Sequence, residues 1–156
     1  MFSLGFVSAI LGDHTLEEVF VFASTHGFSC VEIMCWPASN KDARRYAGVC
    51  HIDVDQLDMH TIEHIIQLQL KYKVGISALG YYPNPLDDDA EQSKYYIDHI
   101  KKVIKACKSL NIPVMNTFVG RDPARDVDYN ISRFKEVWPS IIALAEELHI
   151  KIGIEN

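Results

Sequence analysis

Several signals that mark common protein classes are missing from this sequence. No apolar run approaches the roughly 20 residues that a membrane helix requires, so we expect no membrane association. Basic residues cluster no further than pairs such as Arg44 and Arg45, and the formal net charge is −6. Nucleic acids bind to a concentrated positive face, so this charge distribution argues against nucleic acid as a partner.

The cysteines are few and are not arranged as a metal site. They form no CxxC pair and have no zinc-finger spacing: Cys30, Cys35, Cys50 and Cys107. We therefore expect four reduced thiols in a cytoplasmic protein. The N terminus has no basic segment ahead of its first apolar residues, so we also expect no signal peptide.

The hydrophobic pattern predicts five strands and four helices in strict alternation within one domain of 156 residues. Short apolar runs predict strands at residues 4–10, 30–35, 74–79, 114–119 and 151–155. Apolar residues at three- and four-residue steps predict helices between Thr15 and Gly27 and at residues 62–70, 97–110 and 131–148. Pro139 lies inside the last pattern and predicts a kink or a break there.

The connections also carry information. Thr15 and Glu18 form a capping box that opens the first helix, and the acidic run at residues 87–89 is expected to open the third. Residues 38–58 are expected to form a loop that is longer than an ordinary βα connection. Long loops of this kind often serve as lids or binding segments.

Strict alternation predicts a parallel α/β sheet. An open nucleotide-binding sheet would carry a glycine-rich motif after its first strand, but residues 9–13 read AILGD. We therefore favour a barrel. A complete (β/α)₈ barrel needs 200 residues or more, so we expect a partial (β/α)₈ TIM barrel, about five-eighths of a complete one.

The last predicted strand ends in a carboxylate. Alternation places Glu155 on the face of Gly153, opposite to Ile152 and Ile154. An unpaired carboxylate is costly in a core, whereas acids at the carboxyl ends of barrel strands are commonly catalytic. Glu155 is therefore a candidate catalytic or metal-binding acid, and a solvated strand terminus is the alternative.

The order of motifs along the chain resembles a known family. The matching segments are residues 7–9, 27–28, 31–33, 76–84, 116–122 and 151–156. The chain is similar to the N-terminal part of the xylose-isomerase-like TIM barrels, in particular the sugar-phosphate isomerases and epimerases. The same superfamily includes the zinc-dependent endonuclease IV, whose histidines at the ends of strands three and four have no counterpart here.

The resemblance implies a divalent-metal enzyme that acts on a small sugar or sugar phosphate. Two glutamates, themselves ligands of Mn²⁺, Mg²⁺, Co²⁺ or Zn²⁺, would exchange a proton through an enediolate. Glu155 would be one of them, serving as both metal ligand and acid–base residue. The remaining ligands would lie beyond Asn156, so we expect the isolated chain to be inactive and not to retain the metal.

A second hypothesis is a half-barrel that catalyses nothing by itself. The first and last strands would be open edges, and an open edge invites pairing with another chain. We therefore expect a homo-oligomer or a complex with a complementary C-terminal half.

Six further residues are candidates for substrate binding: His14, Glu32, Trp36, Tyr81, Phe118 and Arg121. The three aromatic residues stand at strand ends, where they would wall a sugar pocket or pack at the rim. Arg121 would hold a substrate phosphate, or pair with Asp122 or Asp126. Glu32 would lie beneath the substrate or form a structural ion pair, and His14 would touch substrate or be solvated.

One further motif is typical of a different class of protein, the zinc proteases. His60, Glu63 and His64 match the H-x-x-E-H pattern of inverted zincins. We expect their helix on the outer ring of the barrel, away from the strand ends, and therefore expect no zinc site there.

Overall fold

The computed structural model describes residues 3–38 and 48–155. Five parallel strands form one sheet in the order β1-β2-β3-β4-β5. Their bounds are Gly5–Val7 (β1), Cys30–Met34 (β2), Gly75–Gly80 (β3), Val114–Phe118 (β4) and Lys151–Glu155 (β5). The five predicted strands are confirmed. Sequence order equals spatial order, as in a barrel wall, and β1 and β5 are the two edges of this sheet.

Helices connect the strands: α1 Leu16–Thr25, α2 Met59–Tyr72, α3 Ala90–Ser109, α4 Val127–Val137 and α5 Pro139–Leu148. The described residues thus contain five α-helices instead of the four that were counted from the sequence. The fourth predicted helix is broken at Pro139, which occupies the first turn of α5. Proline lacks an amide hydrogen and is tolerated in that turn, so the expected break is confirmed.

The helix starts agree with the capping signals. Thr15 and Glu18 form the predicted reciprocal capping box on α1. Asp89 caps α3 by accepting from the amides of Glu91 and Gln92, so the acidic run opens a helix as expected. Of the long loop at residues 38–58, positions 39–47 lie outside the described residues.

The first strand is shorter than predicted. Residues 4–10 were expected to be extended, but β1 ends at Val7 and Ser8–Leu11 forms a 3₁₀ turn. Ser8 is fully buried, and its Oγ accepts a hydrogen bond from the amide of Met34 at 2.9 Å. This side-chain bond replaces a strand contact and turns the chain. The apolar residues continue through this turn, and Ala9 within it is also buried. The hydrophobic pattern alone therefore could not locate the end of the strand.

The main core lies between the sheet and the helices. It contains strand residues such as Val31, Ile33 and Leu79 together with Ile104 of α3 and Ile141 of α5. All four cysteines are free thiols. Within the described parts of the chain, no helix is both long and apolar enough to span a membrane.

The H-x-x-E-H residues lie on α2, and His60, Glu63 and His64 are all exposed there. No group of three or more metal-ligating side chains arranged to hold an ion occurs among residues 3–38 and 48–155. The expectation that this motif lies away from the strand ends is consistent with its exposed position on α2.

Candidate active site

A buried carboxylate anchors the face of the sheet that lies opposite to the main core. Glu32 on β2 is only 7% exposed. Tyr82, just after β3, donates its hydroxyl to Glu32 Oε1 at 2.5 Å, and Asn116 on β4 donates its Nδ2 to Oε2 at 2.6 Å. Both carboxylate oxygens therefore have a donor, which is how a buried acid avoids the full cost of desolvation.

Two glycines make room for this network. A Cβ at Gly80 would lie 2.4 Å from Glu32 Oε1, and a Cβ at Gly153 would lie 2.1 Å from Asn116 Oδ1. Neither distance is possible for a real carbon. The network thus depends on the absence of side chains on β3 and β5, where those strands face Glu32 and Asn116.

We expect Gly153→Ala to lower the free energy of unfolding by about 1–3 kcal/mol, because the new methyl group must displace the Asn116 amide from a packed site. Gly75→Ala is the matched control, since the nearest atom to a Cβ there is Ser29 O at an ordinary 3.9 Å. The control is expected to change stability by less than about 1 kcal/mol. Urea denaturation followed by circular dichroism measures both, and equal effects of the two substitutions would contradict the packing described here.

The electrostatics of the network extend to the last strand. Burial raises the pKa of Glu32, while the hydrogen bonds from Tyr82 and Asn116 lower it and the negative charge of Glu155 raises it further. Burial likewise raises the pKa of Tyr82, and the carboxylates of Glu32 and Glu155 add to that increase. Glu155 thus lies close enough to influence both groups, on the face predicted from strand alternation.

Glu155 also lines an open cavity at the carboxyl ends of the strands. The cavity has a volume of about 520 Å³, which is within the usual range for small-molecule sites. Its walls are Pro83, Asn84, Phe118, Val119, Gly120, Arg121 and Glu155. The predicted candidates Glu155, Phe118 and Arg121 are therefore brought together, and Phe118 packs against Tyr82 with ring centroids 4.9 Å apart.

The loop that carries Arg121 is fixed by a side chain from the neighbouring loop. The amide of Arg121 donates to Asn84 Oδ1 at 2.8 Å, and Asn84 Nδ2 donates to the carbonyl of Arg121 at 3.0 Å. Gly120 precedes Arg121 with a φ of +83°, a conformation that side chains disfavour. The loops after β3 and β4 are thus joined into one wall of the cavity.

Arg121 itself is exposed, and no ion pair ties it to any residue in the described part of the chain. The expected alternative partner Asp122 lies instead 3.8 Å from Arg125 Nε and accepts a hydrogen bond from the amide of Ala124. Arg121 and Arg125 both line a second cavity of about 270 Å³ beside the first. The cationic group is therefore available to a ligand.

The other candidates lie away from this cavity wall. Tyr81 is fully buried and packs against His99 of α3, on the helix side of the sheet. Trp36 is 2% exposed and packs edge-on against Tyr81. These two aromatics therefore form part of the core at the rim. His14 is exposed in the loop between β1 and α1.

Three polar residues at the site were not selected from the sequence: Tyr82, Asn84 and Asn116. The signal for Asn116 was present, because alternation along β4 places it on the same face as Phe118. Tyr82 and Asn84 follow β3, where the chain leaves the sheet and alternation no longer predicts direction. Their roles depend on contacts with distant residues.

The side chains at the cavity could supply one ligand of a metal site, the carboxylate of Glu155. Glu155 is an exposed carboxylate that lines the cavity, and carboxylate oxygens suit hard divalent cations. Each oxygen of Glu32 already accepts one hydrogen bond. Glu155 is the one carboxylate among the described residues that line this cavity, so a metal held there would need further ligands.

Parallel strands in sequential order, with an acid and an open cavity at their carboxyl ends, define the α/β-barrel class of site. The sequence profile of the family described as xylose isomerase-like TIM barrel matches residues 20–156. The chain belongs to this family. No curated protein sequence matches it significantly. The family resemblance and the partial-barrel fold expected from the sequence are both confirmed.

Solved structures give the same result for the fold. A D-tagatose 3-epimerase-like protein matches with a TM-score of 0.70 at 21% identity, over 99% of this chain and 53% of its own. D-psicose 3-epimerase from Clostridium cellulolyticum H10, solved with D-tagatose, matches with a TM-score of 0.71 at 13% identity, over 98% and 52%. The IolI protein with a bound zinc atom matches with a TM-score of 0.68 at 17% identity, over 98% and 51%. The chain thus spans about half the length of these proteins.

Proposed function

We propose that this chain supplies the first half of a divalent-metal-dependent sugar or sugar-phosphate isomerase or epimerase. Glu155 would be a metal ligand and one of two acid–base residues. The observation that carries the proposal is the position of Glu155, at the carboxyl end of β5 in a cavity shared with Phe118 and Arg121. The epimerases among the similar structures support the reaction class.

A divalent cation such as Mn²⁺, Mg²⁺, Co²⁺ or Zn²⁺, when bound, would offset the negative charge that develops on substrate oxygens. The Glu155 carboxylate would accept the proton from the carbon next to the substrate carbonyl, and the electron pair left behind would form an enediolate. A second carboxylate would return a proton to the opposite face of that carbon, which inverts its configuration. That second group is not among the cavity-lining residues described here.

The other cavity residues have roles that follow from their chemistry. Phe118 would give the sugar an apolar face to pack against. Arg121, with no competing ion pair in the described chain, would hold a phosphate if the substrate carries one. Glu32 would lie beneath the substrate and hold Tyr82 and Asn116 in place through its hydrogen bonds, without contacting the reacting carbon. His14 remains a candidate for substrate contact from the first loop.

The missing ligands and the second acid–base residue would come from residues outside this sequence. They would belong to a further segment of the same protein, to a second copy, or to a complementary C-terminal half. The open edges of β1 and β5 are the places where additional strands would pair. Until such strands are supplied, we infer that the half-barrel is catalytically inactive.

One carboxylate cannot retain a cation, but paramagnetic broadening needs only brief contact. We expect Mn²⁺ in weak, rapidly exchanging contact with the exposed Glu155 carboxylate to broaden the NMR signals of Phe118, Arg121 and Glu155, which line the same cavity. Glu155→Gln removes the ligand charge with little change in shape and should abolish that broadening. Glu147→Gln, an exposed acid on α5, is the charge-matched control and should leave it intact. Broadening of Phe118 that survives in Glu155→Gln would place the cation elsewhere.

The 156-residue chain alone is expected to show negligible epimerisation of ketoses with added Mn²⁺ or Mg²⁺. The reason is that proton return needs a group that the described site lacks. Deuterium incorporation into the sugar in D₂O is the measurement, since it detects a single proton exchange even without net conversion. Robust epimerisation by the isolated chain would show that a complete acid–base pair is already present, whereas deuterium exchange without epimerisation would show one working base.

A further inference from the structure

Two cysteines face each other directly across a short antiparallel contact. Cys35, just after β2, and Cys50 form an isolated antiparallel bridge. The hydrogen bonds of this bridge are made by their neighbours: Trp36 N donates to Val49 O at 3.2 Å, and His51 N donates to Met34 O at 3.0 Å. The bonds therefore flank the pair, and neither cysteine is bonded to the backbone of the other.

This pattern defines a non-hydrogen-bonded antiparallel pair. In such pairs the Cα atoms lie about 4.5 Å apart and the two side chains project from the same face. That separation is within the range of about 4.4–6.8 Å that a disulfide requires. The backbone thus holds the two cysteines in a register that a disulfide can bridge without rearrangement of the chain.

We infer that Cys35 and Cys50 are the site of an intramolecular disulfide, formed by thiol oxidation. This bond would link the two ends of the segment at residues 36–49. Residues 36–38 follow β2 and therefore leave the sheet at its carboxyl end, where the candidate active site lies. The inference is independent of the proposed catalytic function, because it needs only the bridge and the two thiols.

The other two cysteines lack this register. Cys30 lies at the start of β2, at the opposite end of that strand, where its Sγ packs close to Gly5. Cys107 lies on α3 and its thiol donates to the carbonyl of Val114 at 3.5 Å. Cys107 is nevertheless near enough to Cys35 to raise the pKa of that thiol, after burial and ahead of Cys50. Cys107 is therefore the alternative partner for Cys35, and the experiment must distinguish a Cys35–Cys107 disulfide from a Cys35–Cys50 disulfide.

The oxidation requires a small disulfide such as oxidised glutathione. The half-buried Cys50 is the accessible thiol, since Cys35 is fully buried. The Cys50 thiolate attacks one sulfur of oxidised glutathione, breaks its S–S bond and releases one glutathione thiolate. The Cys35 thiolate then attacks the Cys50 sulfur and releases the second, so two electrons pass from the protein thiols to the oxidant.

The site should react slowly at neutral pH. Burial raises the pKa of Cys50 to about 11, with Asp53 and Asp55 adding to the increase. Only the thiolate attacks a disulfide, so the rate should rise about tenfold per pH unit between pH 7 and pH 9. A slow site of this kind would be closed by sustained oxidising conditions rather than by a brief pulse.

The test is oxidation of the Cys30→Ser variant with oxidised glutathione, followed by alkylation, unfolding and trypsin digestion. Lys41, Arg44 and Arg45 lie between the two cysteines, and no earlier Lys or Arg precedes Lys41. The expected product is therefore peptide 1–41 joined to peptide 46–71, separable by reductant and formed faster as pH rises. In this variant, Cys35 is the only cysteine in the first peptide.

Cys50→Ser in the same background is the control, chosen because a half-buried residue is less critical to folding than the buried Cys35. It should abolish the joined peptide, whereas Cys107→Ser should leave its yield unchanged. Failure to detect the 1–41 and 46–71 product would overturn the inference. A dominant link from Cys35 to the peptide of residues 106–108, which contains Cys107, would equally overturn it.

Discussion

Replacing Trp138 by alanine is expected to lower the free energy of unfolding by about 3–5 kcal/mol. Trp138 is 2% exposed and stands at the break between α4 and α5. It stacks on Phe134, with ring centroids 5.5 Å apart, and its Nε1 donates to the carbonyl of Val119 at 3.1 Å. The substitution therefore leaves a large cavity and also frees the loop that leads to Arg121.

Trp138→Phe separates these two effects. It retains most of the ring volume but removes the hydrogen bond to Val119, so it should cost much less than the alanine substitution. Far-ultraviolet circular dichroism in urea is the appropriate probe, because the chain has only two tryptophans and one is being replaced. A loss below about 1 kcal/mol for Trp138→Ala would contradict the packing of Trp138 against Phe134 and the loop that follows β4.

Replacing Gly120 by alanine is expected to lower the free energy of unfolding by about 2–4 kcal/mol, through backbone strain and overpacking together. A Cβ at Gly120 would lie 2.6 Å from Asn84 Oδ1, 2.8 Å from Pro85 Cδ and 3.0 Å from the amide nitrogen of Leu86. The Leu86 nitrogen is backbone and the Pro85 ring is rigid, so neither moves aside easily. The reciprocal bonds between Asn84 and Arg121 should be lost with it.

Gly27→Ala is a closely matched control for that substitution. Gly27 has a φ of +76°, close to the +83° of Gly120, but no atom lies within 4 Å of its Cβ position. It therefore reports the conformational cost alone, about 1 kcal/mol. The difference between the two unfolding free energies measures the contact with the Asn84 loop, and equal losses would show that this contact is not tight.

Much of the fold could be predicted from the sequence because its signals are local. The five strands are short apolar runs, and the helices begin after side chains such as Thr15 and Asp89 that cap the first amides of the helix. The break at Pro139 follows from the chemistry of one residue. The end of β1 could not be predicted, because the hydrogen bond from Met34 to Ser8 joins positions 26 residues apart.

The site was only partly predictable for the same reason. Strand alternation placed Glu155 correctly on the face of Gly153. The partners of Glu32 could not be identified, since Asn116 is 84 residues away in sequence and Tyr82 is 50 residues away. Aromatic residues at strand ends were ambiguous: Phe118 lines the cavity, while Tyr81 turns to the helices. Only packing decides between these outcomes.

The central claim is that the Glu155 side chain lies in the mouth of the half-barrel, beside the buried Glu32 network. The most direct test is a ¹³C NMR titration of the Glu32 carboxyl carbon in the native chain and in Glu155→Gln. The negative charge of Glu155 raises the pKa of Glu32, so its removal should lower that pKa, while Glu147→Gln should not. An unchanged Glu32 pKa in Glu155→Gln would contradict the account, because the two carboxylates would then not share this face of the sheet.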